Sequence, residues 1–227
     1  KAELHCHLAG TLRATTVAEL AKKYGLPLPR PAEQLYQWPN FDGFLEILRL
    51  TASVLRTPED FSRAVYEYCE DAARDGNLRH VEFFFNPDYF YPNGIDYPSM
   101  VAGMADGIER VGRSFGISAR LICCIDRSIN SPAQAVEIVE TALAHRHELV
   151  IGIGLDGNES VGPPATFAEA YALARKSGLR CTAHCCEDYL TPLEAPPTNY
   201  LICRDVLRCD RIYHGYNMLA SDYVMSE

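Results

Sequence analysis

Leu149-Val-Ile-Gly-Ile-Gly-Leu155, then Ala165-Thr-Phe-Ala-Glu-Ala-Tyr-Ala-Leu-Ala-Arg-Lys-Ser177, then Leu179-Arg-Cys-Thr-Ala-His184 decide the fold class of this chain. The first and third are short, near-continuous apolar runs, and the second is longer and amphipathic. Those lengths and periodicities read as strand, helix, strand. Strands without clean polar alternation are buried on both faces, as in a parallel sheet covered by helices.

The same rhythm extends outward in both directions. Further strands are read at 1–7, 78–85, 118–125 and 211–214, and further helices at 15–25, 41–55, 58–73, 99–115, 131–144 and 199–207. Thr15 or Thr16 can cap the first helix and Gly25 can stop it. Thr57 can cap the helix that Pro58 opens, and Ser131-Pro132 is a second start signal. Six strands separated by helical segments predict an α/β fold. Polar residues collect just after the strands: His5 and His7, Asn86, Asp126, Asp156, His184 and His214. A TIM (β/α)8 barrel builds its active site at those strand ends. A doubly wound sheet also binds ligands beyond the carboxyl ends of its strands, so this pattern is shared by both folds.

The chain has 227 residues, with 21 Lys plus Arg against 30 Asp plus Glu and a formal net charge of -9. A nucleic-acid partner calls for a basic footprint, and the sequence has none. No apolar run approaches the roughly 18 residues of a membrane span, so no membrane partner is expected. Residues 1–7 lack the apolar stretch of a signal peptide. The nine Cys sit mostly inside apolar runs, which fits reduced thiols in a cytoplasmic protein better than a disulfide scaffold. A complete (β/α)8 barrel takes about 250 residues. Six strands in a shorter chain predict one domain over 1–227, lacking the last two βα units or closing by another route.

Four of the seven His stand at strand ends. His5 and His7 are two apart, so on a strand they face the same side, about 7 Å apart along the chain. That suits two imidazoles on one cation. The alternative is one packed His and one His bonded to a neighbour. His184 and His214 at the ends of later strands favour the metal. Glu187, three residues past His184, can move protons beside such a site. Asp188 reads as a solvated loop carboxylate. His145 and His147 follow a helix end and read as surface residues. His80 with Glu82 spells His-x-Glu, but the Pro-Cys-x-x-Cys that the cytidine-deaminase type of zinc site also needs is absent. Gly152, Gly154 and Gly157 spell Gly-x-Gly-x-x-Gly, yet a Pro- and Gly-bearing loop follows where a dinucleotide site needs a helix. Gly157 is better suited to close backbone approach to a ligand. Cys185 and Cys186 read as packing or loop thiols.

Taken together, Lys1-Ala-Glu-Leu-His-Cys-His-Leu-Ala-Gly-Thr-Leu-Arg13, Gly152-Ile-Gly-Leu-Asp-Gly-Asn-Glu159, Thr182-Ala-His-Cys-Cys-Glu187 and Arg211-Ile-Tyr-His-Gly215 resemble the adenosine deaminase family, the purine deaminases of the amidohydrolase superfamily. The resemblance covers essentially the whole chain. It implies a TIM barrel with one Zn2+, held by His5, His7 and His184. It implies that Glu187 protonates the purine ring nitrogen and that His214 orients or deprotonates the attacking water. Gly157, beside Asp156, is implied to contact the purine. The implied reaction is hydrolytic deamination of adenosine or adenine with release of ammonia, Glu187 being protonated when substrate binds. The partner is then a small purine.

Four departures from the family pattern stand out. Ala9 replaces an acidic residue associated with the ribose end of the substrate. Cys185-Cys186 replaces the usual Ala-Gly. Tyr213 precedes His214 where Gly or Asp is common. The family's last ligand, an Asp on the eighth strand, has no counterpart, because Asp222 follows the sixth strand too closely. Another amidohydrolase reaction on the same metal, such as cyclic-amide hydrolysis, and an inactive ligand-binding barrel are the competing readings.

Overall fold

Helix ends leave backbone groups without intrahelical partners, and where side chains take those groups they fix the helix start. The computed structural model describes residues 1–187 and 190–227. Its elements, in chain order, are β1 (Ala2–His7), α1 (Ala14–Tyr24), α2 (Phe41–Ser53), α3 (Pro58–Gly76), β2 (His80–Phe85), α4 (Pro87–Phe90), α5 (Tyr97–Phe115), β3 (Ser118–Asp126), α6 (Pro132–Ala144), β4 (Val150–Asp156), α7 (Ala168–Lys176), β5 (Arg180–Cys185), α8 (Asn199–Asp205), β6 (Arg211–His214) and α9 (Asp222–Ser226). The strands are hydrogen-bonded in the order β1-β2-β3-β4-β5-β6. Strand β1 runs parallel to β2, β4 to β5 and β5 to β6. Parallel strands in chain order, with helices between them, make the TIM-barrel-like α/β fold that the alternation predicts. Packing groups the chain into two compact units, Lys1–Leu121 and Ile122–Glu227.

In the first unit, α3 and α5 meet at unusually close range. A Cβ on Gly103 would lie 2.3 Å from the Pro58 carbonyl oxygen, and one on Gly107 would lie 2.7 Å from Val65 Cβ. Phe61, Val65, Met100 and Met104 are fully buried around this contact. Helix α3 opens as its sequence predicts. Thr57 and Asp60 form a capping box, with Pro58 in the first turn. Asp60 also accepts from the Arg56 backbone N–H, the Tyr24 hydroxyl and Lys23 Nζ, so it ties α1 to the start of α3. Burial alone would raise the Asp60 pKa, but these donors pull it below the usual carboxylate range.

Helix α1 corrects an expectation. Neither Thr15 nor Thr16 caps it: the helix starts at Ala14, after Arg13, without a side-chain cap. The Thr16 hydroxyl instead donates to Glu67 of α3, and the Arg13 guanidinium grips Asp71 and Glu70 on the same helix. Anchoring to α3 replaces local capping. Gly25 ends α1 in the left-handed conformation, as predicted.

In the second unit, Ser131 and Gln134 form a capping box at the start of α6. Glycine at 152 lets β4 approach the Arg180 carbonyl, where a Cβ would sit at 2.6 Å, and glycine at 154 leaves room for the Cys124 sulfur. Close strand packing therefore accounts for the Gly-x-Gly spacing. No helix among the described residues is long and apolar enough to cross a membrane.

Two stability outcomes follow. Gly103→Ala should raise helix propensity by about 1 kcal/mol, yet the contact with Pro58 makes it destabilising by about 1–3 kcal/mol through overpacking. Gly76→Ala, with open space around it, should be neutral or stabilising; urea denaturation of the two variants checks the opposite signs. Asp60 has its pKa lowered on folding, so its contribution is present above the unfolded value of about 3.9 and lost as pH falls through the folded value. Asp60→Asn should be less stable than the parent at neutral pH, with the gap closing below about pH 4, as read by thermal melting across pH.

Candidate active site

Strand β1 carries the first pair of candidate residues. Its register against β2 shifts between Glu3 and Cys6, where three steps on β1 match two on β2. One extra residue there is a bulge, which re-aims the side chains around it. His5 and His7 still fall together, with ring centroids 5.5 Å apart. Both rings pack against Phe84 of β2, at 5.5 and 5.0 Å. Cys6, between them, is buried, and burial pushes its thiol up to about 12. The spacing of the two His therefore does what period-2 geometry predicts, with an aromatic floor behind it.

Strands β5 and β6 carry the second group. Their register places His184 opposite Tyr213 and Cys185 opposite His214. The His184 and His214 rings lie 5.3 Å apart, and Tyr213 packs against His184 at 5.5 Å. Nδ1 of His184 sits 2.9 Å from the Leu155 carbonyl at the end of β4. A carbonyl can only accept, so Nδ1 carries the proton, and in the neutral ring Nε2 is the nitrogen with the lone pair. That is the state a metal-ligating imidazole needs, with its orientation set by a backbone carbonyl. The donor chemistry of His184, and of the His5 and His7 pair, fits zinc.

Glu187 is buried, 4 % exposed, and its Oε2 lies 3.7 Å from His214 Nε2. Its main chain is held on both sides. The Glu187 N–H donates to Glu159 at 3.4 Å, and its carbonyl accepts from Asn217 Nδ2 at 2.8 Å. Glu159 is itself buried and accepts from Asn199 Nδ2 at 2.8 Å. His214 and Cys186 are both non-glycine residues in the left-handed region, with φ of 69° and 56°. Cys186 stands where the family pattern has Gly, so this backbone shape is kept although a side chain disfavours it.

Asp156 and Gly157 close β4. Asp156 is buried, and Gly157 has φ of 80°. A Cβ there would lie 1.9 Å from Asp126 Oδ1 and 2.7 Å from Ser128 Oγ. Glycine is thus required at 157 by its own neighbours. Cys185 and Cys186 are buried with their sulfurs 3.4 Å apart. Contact with the Cys186 thiol, then with Cys203, drives the Cys185 pKa up. His80 lies at the opposite end of β2, bonded to Ser118 Oγ, and His145 and His147 lie after α6, away from the strand ends. Ala9 is buried in a turn of 3-10 helix after β1, and Asp222 opens α9 on the surface. Asp188 lies outside the described residues.

Sequence reasoning missed Arg127, Glu159, Asn199 and Asn217. Arg127 is 3 % exposed, and its side chain donates to the carbonyls of Leu155, Asp156 and His184. A charged residue just past a strand reads as solvated, and nothing local marks it as buried. Glu159 ends one of the family-like stretches, but its role is not legible locally, because its partners Asn199 and Glu187 are 40 and 28 positions away.

Four similarities to known proteins bear on this geometry. The family model described as adenosine deaminase matches residues 1–226. An adenine deaminase of Vibrio parahaemolyticus is 33% identical over 219 residues, which cover 95% of this chain and 62% of the relative. The crystal structure of an adenine deaminase from Arthrobacter aurescens superposes with a TM-score of 0.90 at 31% identity, over 99% of this chain and 67% of that one. An amidohydrolase from Burkhoderia ambifaria, solved with bound Zn, gives a TM-score of 0.90 at 39% identity, over 100% of this chain and 61% of that one. The chain spans about three fifths of the length of the curated relatives it matches. With the His-x-His strand, the His184–Glu187 turn and the His214-Gly215 strand end in family order, the chain belongs to the adenosine deaminase family.

Proposed function

We propose that the protein carrying this chain is a zinc-dependent enzyme that hydrolyses the amino group of an aminopurine and releases ammonia. The observation that carries this reading is the pairing of a buried carboxylate with an imidazole, Glu187 and His214 at 3.7 Å, beside His184 at the ends of β5 and β6. His5, His7 and His184 would hold the metal. When bound, zinc would supply Lewis acidity that makes water acidic near pH 7. His214 would orient the attacking water or take its proton. Glu187 would hand a proton to the ring nitrogen as water adds to the amino-bearing carbon; the proton taken from water would pass to the amino group, the carbon–nitrogen bond would break to free ammonia, and the hydroxyl proton would return to Glu187. Gly157, lacking a side chain, offers its backbone to the purine edge next to Asp156.

Adenine is the substrate we favour over adenosine. Two of the named relatives are adenine deaminases. Position 9, where the family pattern places a carboxylate associated with ribose, is Ala9, which lines a small cleft with His7, Leu48, Phe84 and Phe85. A cytoplasmic setting is supported by nine cysteines outside disulfides, eight of them buried. Neither a nucleic acid nor a membrane is needed as a partner by this reading.

Zinc loading of the full chain should give about one equivalent of bound metal and ammonia release from adenine exceeding that from adenosine. His184→Ala should lose both the metal and the activity. Metal analysis showing no zinc in the parent, or no ammonia from any aminopurine, would sink the reading. Glu187→Gln separates proton transfer from metal binding: zinc content should stay at the parent level while kcat falls by about 10²–10⁴. A Glu187→Gln protein with parental kcat would remove Glu187 from the proton-donor role.

A further inference from the structure

Arg127 is a buried cation without a carboxylate partner among the described residues. Its backbone N–H donates to the Asp156 carbonyl at 2.9 Å, and its Nε donates to the same oxygen at 3.2 Å. Its Nη2 donates to the His184 carbonyl and approaches the Leu155 carbonyl at 3.5 Å. Its Nη1 is buried, with no hydrogen-bond partner among the described residues. A guanidinium held this way is costly, since it gives up water and receives only neutral acceptors in return. An apolar side chain of similar size would fill the space without that cost.

The acceptors show what the cation does. His184 has two anchors: its own carbonyl, and the Leu155 carbonyl that accepts from Nδ1 at 2.9 Å. Arg127 touches both, and it also holds Asp156, the residue between Leu155 and Gly157. One planar fork therefore sets the main-chain position of His184 and the direction in which its ring points. An imidazole's usefulness as a ligand depends on such outer contacts, which fix its tautomer and orientation.

We propose that Arg127 is the positioning residue for His184, and that its fork across the ends of β4 and β5 sets the zinc affinity of the site. This rests on the reading above that His184 is a zinc ligand. The test uses the full chain with Arg127→Met, which keeps the volume and loses the donors, and Arg127→Lys, which keeps the charge and loses the fork. Zinc dissociation constants are measured by chelator competition, with the melting of each metal-free protein recorded alongside. The visible spectrum of the Co2+-loaded forms reports ligand geometry. Arg127→Met should bind zinc about 10–100-fold more weakly, with a shifted Co2+ spectrum and a cooperative metal-free transition. Arg127→Lys should recover only part of the affinity. Parental zinc affinity in either variant overturns the proposal, whether or not the melting temperature falls, because a purely structural role predicts that result. If Arg127→Met does not fold, Arg127→Lys decides the question by the same criterion. A parent chain that binds no zinc would instead overturn the zinc-ligand reading itself, and this proposal with it.

Discussion

The register of β5 against β6 is the constraint on which the second unit's site depends. With Cys185 opposite His214, the ring of His214 comes to 5.3 Å from that of His184 and within 3.7 Å of Glu187. A slip of one residue would turn every side chain of β6 to its other face and part the imidazole from the carboxylate. Asp210 guards against that slip from just before β6. Its N–H donates to the Cys181 carbonyl at 2.7 Å, and its Oδ2 accepts the Cys181 N–H at 2.9 Å. Burial acts to raise the Asp210 pKa, but the Cys181 N–H and Arg180 bring it below the usual value, so it works as a charged clamp. The Tyr171 hydroxyl adds a bond from α7 to the Thr182 carbonyl.

Much of this was legible in the sequence because the relevant physics is local. Strand length, apolar continuity and the start signals at Thr57 and Ser131 act over a few residues, and the structure places those elements close to where they were read. His5 and His7 could be paired because strand alternation is a two-residue rule. What escaped reading depends on partners far along the chain. Thr16 looks like a cap, but Glu67, 51 positions on, takes its hydroxyl. The bulge in β1 leaves no Gly or Pro to mark it. Arg127 has the composition of a surface residue, and only the gathered carbonyls of Leu155, Asp156 and His184 show why it is buried.

Stability and function draw on different parts of the molecule. The devices that stabilise lie on the helices: two capping boxes, the Asp60 junction, and the glycines that let α3 and α5 touch. Some of the costs lie at the strand ends. His214 and Cys186 occupy a backbone region that disfavours a side chain by roughly 1–2 kcal/mol each, and Arg127 keeps a charge out of water. Such costs persist where the surrounding structure over-determines a conformation.

Asn217 shows how that over-determination is achieved. Its side-chain amide donates to the carbonyls of Glu187 and Leu190 at 2.8 and 2.9 Å, while its backbone N–H donates to the Cys186 carbonyl at 3.0 Å. Next to it, the Gly215 N–H donates to the Cys185 carbonyl at 2.9 Å. The segment leaving β6 therefore takes successive carbonyls of the segment leaving β5, and Glu159 takes the Glu187 N–H from the other side. Backbone groups that pass beyond a parallel ladder must still find partners when buried. Here they find them in one another and in two side chains, the Asn217 amide and the Glu159 carboxylate, the latter held by Asn199. The left-handed turns at Cys186 and His214 are thus tied into a hydrogen-bonded set, and that set holds a carboxylate and an imidazole at a fixed distance.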